Sequence, residues 1–254
     1  MQPHTPQYTD HGITRYEKIF GKDFVSTGGI ESTKRLTANL ELQPGMQVLD
    51  VGCGLGGSAF YLARVFQVKV FGIDLLPQMI AEAQRRAAAY ELPDVHFAEQ
   101  DILQAPLPPE THDLVYSRDA FLHIANKAAL FTRLHDTLKP GGALFFTDYA
   151  RGPYPGSEAF EAYRESNGYD LRELPAYADA VQDAGFAEVQ VQDLTGYFIE
   201  MLRQEMHTVR NVPADGENPL TEEDRDYLLD RWQKKIGYCL EGDMRWCCIQ
   251  AKKI

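Results

Sequence analysis

The chain has 254 residues, 44% of them hydrophobic, with 25 Lys and Arg against 37 Asp and Glu and a formal net charge of -12. The acidic balance argues against a nucleic-acid binder, because phosphate backbones select for excess basic residues. No apolar run approaches the roughly 18 residues of a membrane span, and the opening segment MQPHTPQYTD lacks the apolar stretch of a signal peptide. A chain of this length buries about three quarters of its unfolded surface, so its core needs no disulfide support. Cys53, Cys239, Cys247 and Cys248 show neither framework nor zinc-ligand spacing and read as reduced thiols of a cytoplasmic protein.

In chain order, helix signals at 12–20 and 31–39 precede the first strand. Apolar, β-rich runs then follow at 47–51, 69–73, 95–98, 114–117, 143–147, 188–192 and 245–251. Helical periodicity fills 58–65, 77–90, 127–138 and 174–184 between them. Alternating strands and helices predict an α/β fold with a mostly parallel sheet covered on both faces. The run ALFFT at 143–147 is apolar on both sides, as such a strand should be. Residues 1–44, 149–172 and 195–242 exceed a minimal doubly wound domain. Ligands of open α/β sheets bind at the carboxyl ends of the strands, where insertions after strands also lie. The expected organisation is a single domain over 1–254. Its parts are an N-terminal lid (1–44), a ligand-binding core (45–148) and two cap insertions (149–172 and 195–242).

The sharpest local signal is Val48-Leu-Asp-Val-Gly-Cys-Gly-Leu-Gly-Gly57, a strand running into a glycine-rich turn and a helix. Glycines allow positive φ and close approach of a ligand to the backbone. Gly52, Gly54 and Gly57 also satisfy the dinucleotide pattern G-x-G-x-x-G, which alone is weak evidence. The acids discriminate. Asp50 precedes the first glycine, Asp74 ends the second strand 22 residues past Gly52, and Asp101 follows the third strand. Asp74 is placed for ribose hydroxyls and Asp101 for an adenine amino group, with Leu75 and Ile102 beside them to sandwich the base. Asp50 would repel a pyrophosphate and attract an ammonium. The set therefore fits S-adenosylmethionine better than a dinucleotide.

These features, closing with Leu138-Lys-Pro-Gly-Gly142, resemble class I S-adenosylmethionine-dependent methyltransferases over residues 45–150. The resemblance implies a Rossmann-like, seven-stranded sheet whose last strand is antiparallel, with 245–251 placed to supply it. Further motifs are Gln7-Tyr-Thr-Asp-His-Gly12, Tyr16-Glu-Lys-Ile-Phe-Gly21, Phe24-Val-Ser-Thr-Gly-Gly29, Tyr116-Ser-Arg-Asp-Ala-Phe-Leu-His-Ile124, Thr147-Asp-Tyr149 and Arg245-Trp246. Together they resemble the phosphoethanolamine N-methyltransferases over nearly the whole chain. The methyltransferase domain of ovothiol-synthesising enzymes, which methylates the imidazole of 5-thiohistidine, is similar in the same motifs.

The first resemblance implies a catalytic pair, Tyr8 and His123, with Asp119 holding the acceptor nitrogen and Gln7 lining the same pocket. It implies donor contacts at Tyr16, Val25, Ser26, Asp50, Gly52, Gly54, Gly56, Asp74, Asp101 and Arg118. Acceptor phosphate contacts are implied at Tyr149, Tyr163, Tyr169 and Lys235. At Asn167, four residues after Tyr163, the family motif has Arg. Asn cannot replace that charge, and one charged hydrogen bond is worth about 1.5–3 kcal/mol. Lys235 and Arg164 are the nearby cations that offer compensation.

Methyl transfer to nitrogen needs a free lone pair. An alkylamine of pKa about 10.4 loses its proton at a cost of roughly 4–5 kcal/mol at pH 7, whereas an imidazole needs almost no help. His123, at an unperturbed pKa, suits the role of general base, and Asp119, one helical turn earlier, would share its helix face. Plainer readings stand beside these. His123 and Asp119 could be capping residues, the three tyrosines pocket-rim aromatics, Lys235 part of a solvated helix face, and 215–226 a solvated loop and helix start. The expected partners are a small amine or imidazole, with no metal, nucleic acid or membrane. The rival activities are an NAD-dependent oxidoreductase and a non-catalytic S-adenosylmethionine-binding regulator.

Overall fold

The computed structural model describes residues 10–153, 155–212 and 220–254. Two helices, α1 (Asp10–Phe20) and α2 (Gly29–Thr37), precede β1 (Gln47–Val51). The glycine turn after β1 opens α3 (Gly57–Phe66), followed by β2 (Lys69–Asp74). Pro77 starts α4 (Pro77–Ala89) at its first turn, where no N–H is missed, and β3 (Val95–Glu99) follows. β4 (His112–Arg118) runs into a single 3-10 turn at Phe121–His123. α5 (Lys127–Thr137) is capped by the Asn126 side chain, which accepts the Ala129 N–H. β5 (Leu138–Arg151) begins five residues before the predicted boundary, because Leu138 already pairs with His112 ahead of an irregularity in register.

Next come α6 (Glu158–Ser166), α7 (Leu174–Asp183) and β6 (Ala187–Asp193). Finally, α8 (Thr195–Asn211) and α9 (Glu222–Glu241) lead into β7 (Met244–Lys252). α9 starts with a capping box between Thr221 and Asp224. Asp224 is not solvated as its acidic run suggested. It is buried and pairs with Arg15 of α1 at 3.2 Å, so the helix start doubles as an anchor for the N-terminal segment.

The strands form one sheet in the order β3-β2-β1-β4-β5-β7-β6, with β7 antiparallel to both neighbours. This is the arrangement implied by the resemblance. Alternation splits the inner strands between two faces. Val48, Leu114, Tyr116 and Phe145 pack against α3 and α4. Leu49, Val115, Leu144 and Phe146 pack against α5 and α7. A further apolar cluster lies over the carboxyl ends and joins α1, α6, α8 and α9 to Tyr149 of β5 and Trp246 of β7. The insertions therefore share buried side chains with the sheet beside the strand tips. All four cysteines are free and buried. Among the described residues no helix is long and apolar enough to cross a membrane.

Candidate active site

Parallel strands deliver their ends to one edge, and a cavity opens there. Its walls are the β1 turn (Asp50–Leu55), the β2 tip (Ile73–Leu76), the β4 exit (Arg118–Ile124), the segment after α1 and one face of α9.

The donor end of this cavity is built from neighbours in sequence. Asp50 is 2% exposed, and its Oδ2 has no hydrogen-bond partner. Burial, then the negative charge of Asp74, push its carboxyl up to about 7. Asp74 accepts the Gly54 N–H on Oδ2 and the Leu76 N–H on Oδ1, each at 3.0 Å, which fixes the turn. At Gly52, with φ of 73°, a Cβ would meet that of Ala120 at 2.3 Å, so only glycine lets the two loops touch. Tyr16, Val25, Ser26, Leu75, Ile102 and Arg118 all line the cavity. Arg118 reaches back to the Thr27 carbonyl at 2.8 Å and Thr33 Oγ1 at 2.9 Å, which ties the β4 exit to the segment holding Val25 and Ser26.

Two expected donor residues are engaged within the protein itself. Asp101 does not line the cavity: it accepts the Leu103 N–H at 2.9 Å and Gln104 Nε2 at 3.0 Å, closing its own turn. Its neighbour Gln100 lines the cavity instead, with Oε1 buried and unpartnered. Gly56 is also set back, because a Cβ there would meet the rings of Phe97 and Phe60, so it serves packing.

The acceptor end is assembled from distant segments. Asp119 is not on a helix with His123. It has φ of 52° and precedes the 3-10 turn that carries His123. Its Oδ1 accepts Trp246 Nε1 at 2.7 Å and Thr147 Oγ1 at 3.0 Å, while Oδ2 is buried without a partner. Two strands thus hold one carboxylate oxygen and leave the other for a ligand. His123 stands against Tyr169 with ring centroids 5.3 Å apart. Its turn is clamped by Lys127, whose Nζ donates to the carbonyls of Phe121, Ile124 and Asp170 at 2.9, 2.6 and 3.0 Å. Burial and then the Lys127 charge lower His123 to about 4, so its titration is not the unperturbed one expected.

Lys235 is buried, whereas its neighbour Lys234 is exposed and paired with Asp230, which settles which lysine of the pair faces inward. Lys235 donates to Tyr149 Oη at 2.7 Å, and burial followed by the charge of Arg231 lowers it to about 7. Tyr149 and Tyr169 line the cavity. Tyr163 and Asn167 stand behind this wall: the Tyr163 ring packs 5.9 Å from that of Tyr169, and Asn167 ends α6. Arg164 offers no compensation for Asn167, because it is held by Glu161 at 2.8 Å, Glu165 at 3.2 Å and the Tyr169 carbonyl. A further cation that lines the cavity is Arg231, missed in the sequence although it lies four residues before Lys235 on the same helix. Gln7 and Tyr8 lie outside the described residues.

Residues 48–142 match the family described as "Methyltransferase domain". The chain is 41% identical over 247 residues to phosphoethanolamine N-methyltransferase 3 of Arabidopsis thaliana, covering 97% of this chain and 50% of that one. It is 33% identical over 250 residues to phosphoethanolamine N-methyltransferase of Plasmodium falciparum, covering 97% and 93%. The chain belongs to the phosphoethanolamine N-methyltransferase family. It spans about half the length of its plant relatives. Phosphoethanolamine N-methyltransferase 2 of Haemonchus contortus, solved with phosphomonomethylethanolamine and S-adenosylhomocysteine, superposes with a TM-score of 0.92 at 31% identity. That match covers 98% of this chain and 58% of the nematode one. The fold is thus that of the class I methyltransferases, and these relatives give no support to the 5-thiohistidine alternative or to a dinucleotide enzyme.

Proposed function

We propose that the chain is an S-adenosylmethionine-dependent N-methyltransferase whose acceptor is phosphoethanolamine or its partly methylated forms. The observation that carries this reading is the polarity of the cavity. The same cavity is lined by the carboxylate of Asp119 and by the cations Arg231 and Lys235, and also by Asp50 and Asp74. A small molecule with an ammonium and a phosphate matches both poles. The relatives' names and the nematode complex point to the same acceptor.

The donor site fits its ligand on two counts. Asp50 keeps an unpartnered buried oxygen suited to an ammonium, and Gly52 brings the backbone against the opposite loop. A buried carboxylate at the glycine turn also disfavours a pyrophosphate. Asp50, Asp74, Gly52, Gly54, Leu75 and Ile102 would hold S-adenosylmethionine, which supplies an activated methyl group on its sulfonium.

This chain's residues then bind, orient and exclude water. Asp119 accepts an N–H of the acceptor amine and balances the charge that stays on nitrogen after methylation. Lys235, with the hydroxyls of Tyr149 and Tyr169, takes the phosphate. Proton loss is decided by magnitudes. Passing a proton from an amine of pKa about 10.4 to an imidazole at about 4 costs roughly 9 kcal/mol, against roughly 4–5 kcal/mol for loss to water at pH 7. The bound ammonium therefore loses its proton to solvent before transfer, and neutral His123 helps to orient the acceptor nitrogen. Alignment supplies much of the remaining rate.

The test is transfer of labelled methyl from S-adenosylmethionine to phosphoethanolamine, its mono- and dimethyl forms, and ethanolamine. The reading requires the phosphorylated acceptors to be methylated far better than ethanolamine. Labelling of none of them, or of ethanolamine equally well, overturns it.

A further inference from the structure

Asn167 stands where a phosphate-binding wall lacks charge, yet the cavity beside it is not short of cations. α9 carries Arg231 and Lys235 one turn apart, and both line the acceptor end. Trp232 between them is 1% exposed, so the helix is anchored and its inward face is set. Asn167 is the C-cap of α6, and its Nδ2 donates to the Tyr163 carbonyl at 2.8 Å. That bond turns its Oδ1 toward α9, where both terminal nitrogens of Arg231 lie 3.5 Å away. Nη2 of Arg231 also lies 3.3 Å from Tyr169 Oη. Among the described residues these two contacts are to neutral oxygens, which steer a guanidinium without neutralising it.

We propose that Arg231 is an acceptor-binding residue that delivers from α9 the guanidinium gripping the acceptor's phosphate beside Lys235. The inference rests on the phosphate-ester reading of the acceptor and deepens it by naming the residue that sets acceptor specificity. Charge arithmetic supports it. A phosphate monoester carries about -1.5 to -2 at pH 7, so Lys235 alone leaves it undercompensated and the pair matches it. The geometry supports it too, since a guanidinium meets two phosphate oxygens at once while an ammonium acts as a point charge. Repulsion between the two cations, which adds to burial in lowering Lys235, is relieved when a dianion lies beside both. Asn167 fits as the partner of this arrangement: a second Arg there would crowd a guanidinium already 3.5 Å away.

The experiment uses the full chain and compares wild type with R231Q, R231K and the double variant R231Q/N167R. Steady-state kinetics are run with phosphoethanolamine and with ethanolamine, and inorganic phosphate is titrated as inhibitor. Loss of a charged hydrogen bond of about 1.5–3 kcal/mol corresponds to about 10- to 150-fold. R231Q should raise the phosphoethanolamine KM and the phosphate inhibition constant together by that factor. Its kcat should stay within about threefold and its S-adenosylhomocysteine affinity, by calorimetry, unchanged. R231K should fall between, and N167R should restore most of the loss. An unchanged KM in R231Q overturns the proposal. So does a loss of S-adenosylhomocysteine affinity in both R231Q and R231K, which marks a purely structural role. If wild type itself does not prefer the phosphorylated acceptor, the parent reading fails instead, and the two failures are thereby told apart.

Discussion

The two ends of the cavity are built in opposite ways. The donor end comes from short loops that follow β1 and β2, and its decisive groups, Asp50 and Asp74, sit 24 residues apart on paired strands. The acceptor end draws Asp119 from β4, Tyr149 from β5, Tyr169 from the segment after α6, and Arg231 and Lys235 from α9. A hydrogen bond between adjacent strand tips, Gly54 N–H on Asp74, braces the glycine turn at the donor end. Contacts across more than a hundred residues brace the acceptor end, such as Trp246 Nε1 on Asp119. Local construction suits a ligand common to many enzymes, while long-range construction lets the acceptor change without disturbing the donor.

Breaking the acceptor end at its anionic pole has the largest expected effect. D119A removes the partner of the amine and leaves Trp246 Nε1 without its acceptor. Losing one member of a buried charge pair costs about 2–5 kcal/mol, so kcat/KM for phosphoethanolamine should fall by roughly 30- to 5,000-fold. S-adenosylhomocysteine affinity, read by calorimetry, should change little. If both fall together, the two ends are not separable.

Breaking the donor end should invert that pattern. D50N should weaken S-adenosylhomocysteine by about 10- to 150-fold through a lost charged hydrogen bond. It should also stabilise the ligand-free protein. Asp50 has its carboxyl raised to about 7 in the fold, so its favourable contribution is complete below the ordinary pKa of 3.8 and is lost as pH rises through about 7. The gain in Tm of D50N over wild type should therefore be larger at pH 8 than at pH 5. An equal Tm difference at both pH values would show that Asp50 is not strained by burial.

A smaller effect sharpens the cationic pole. Lys235, lowered to about 7, is a cation below that pH and loses its charge above it. Inhibition by inorganic phosphate should accordingly weaken as pH rises from 7 to 8.5, and K235M should abolish that dependence. His123, at about 4, stays neutral over the same range, so H123N should lower the rate without removing an ionisation between pH 5 and 9. A limb near pH 6.5 that vanishes in H123N would instead make His123 the proton acceptor. The smallest signal concerns the N-terminal segment. Its residues Asp23–Thr27 wall the cavity, and amides of residues 10–28 should gain hydrogen-exchange protection when both ligands bind.

Strand positions were legible because the central strands are rich in apolar, β-forming residues, as in ALFFT at 143–147, and 47–51 was read to its ends. Boundaries slipped where pairing overrode the pattern, as at Leu138. Asp50 and Asp74 were legible because motif and strand tip coincide in sequence. Asp101 also sits at a strand tip, where each of its oxygens accepts one hydrogen bond from its own turn, a bracing that the sequence did not reveal. The acid run ahead of α9 hid a buried residue, Asp224, whose partner Arg15 lies 209 residues away.

Composition, period and motif by themselves determined the strand-helix order, the glycine turn and the acids at the strand tips, while the resemblance to a known family supplied the uncharged position 167. The first three depend on neighbours within a few residues. Only the tertiary structure decided which lysine of α9 points inward, which oxygen of Asp119 is left for a ligand, how far burial moves His123, and that Arg231 arrives where position 167 has no charge to offer. Those outcomes depend on desolvation and on side chains meeting across the fold, and neither quantity is written in the order of the residues.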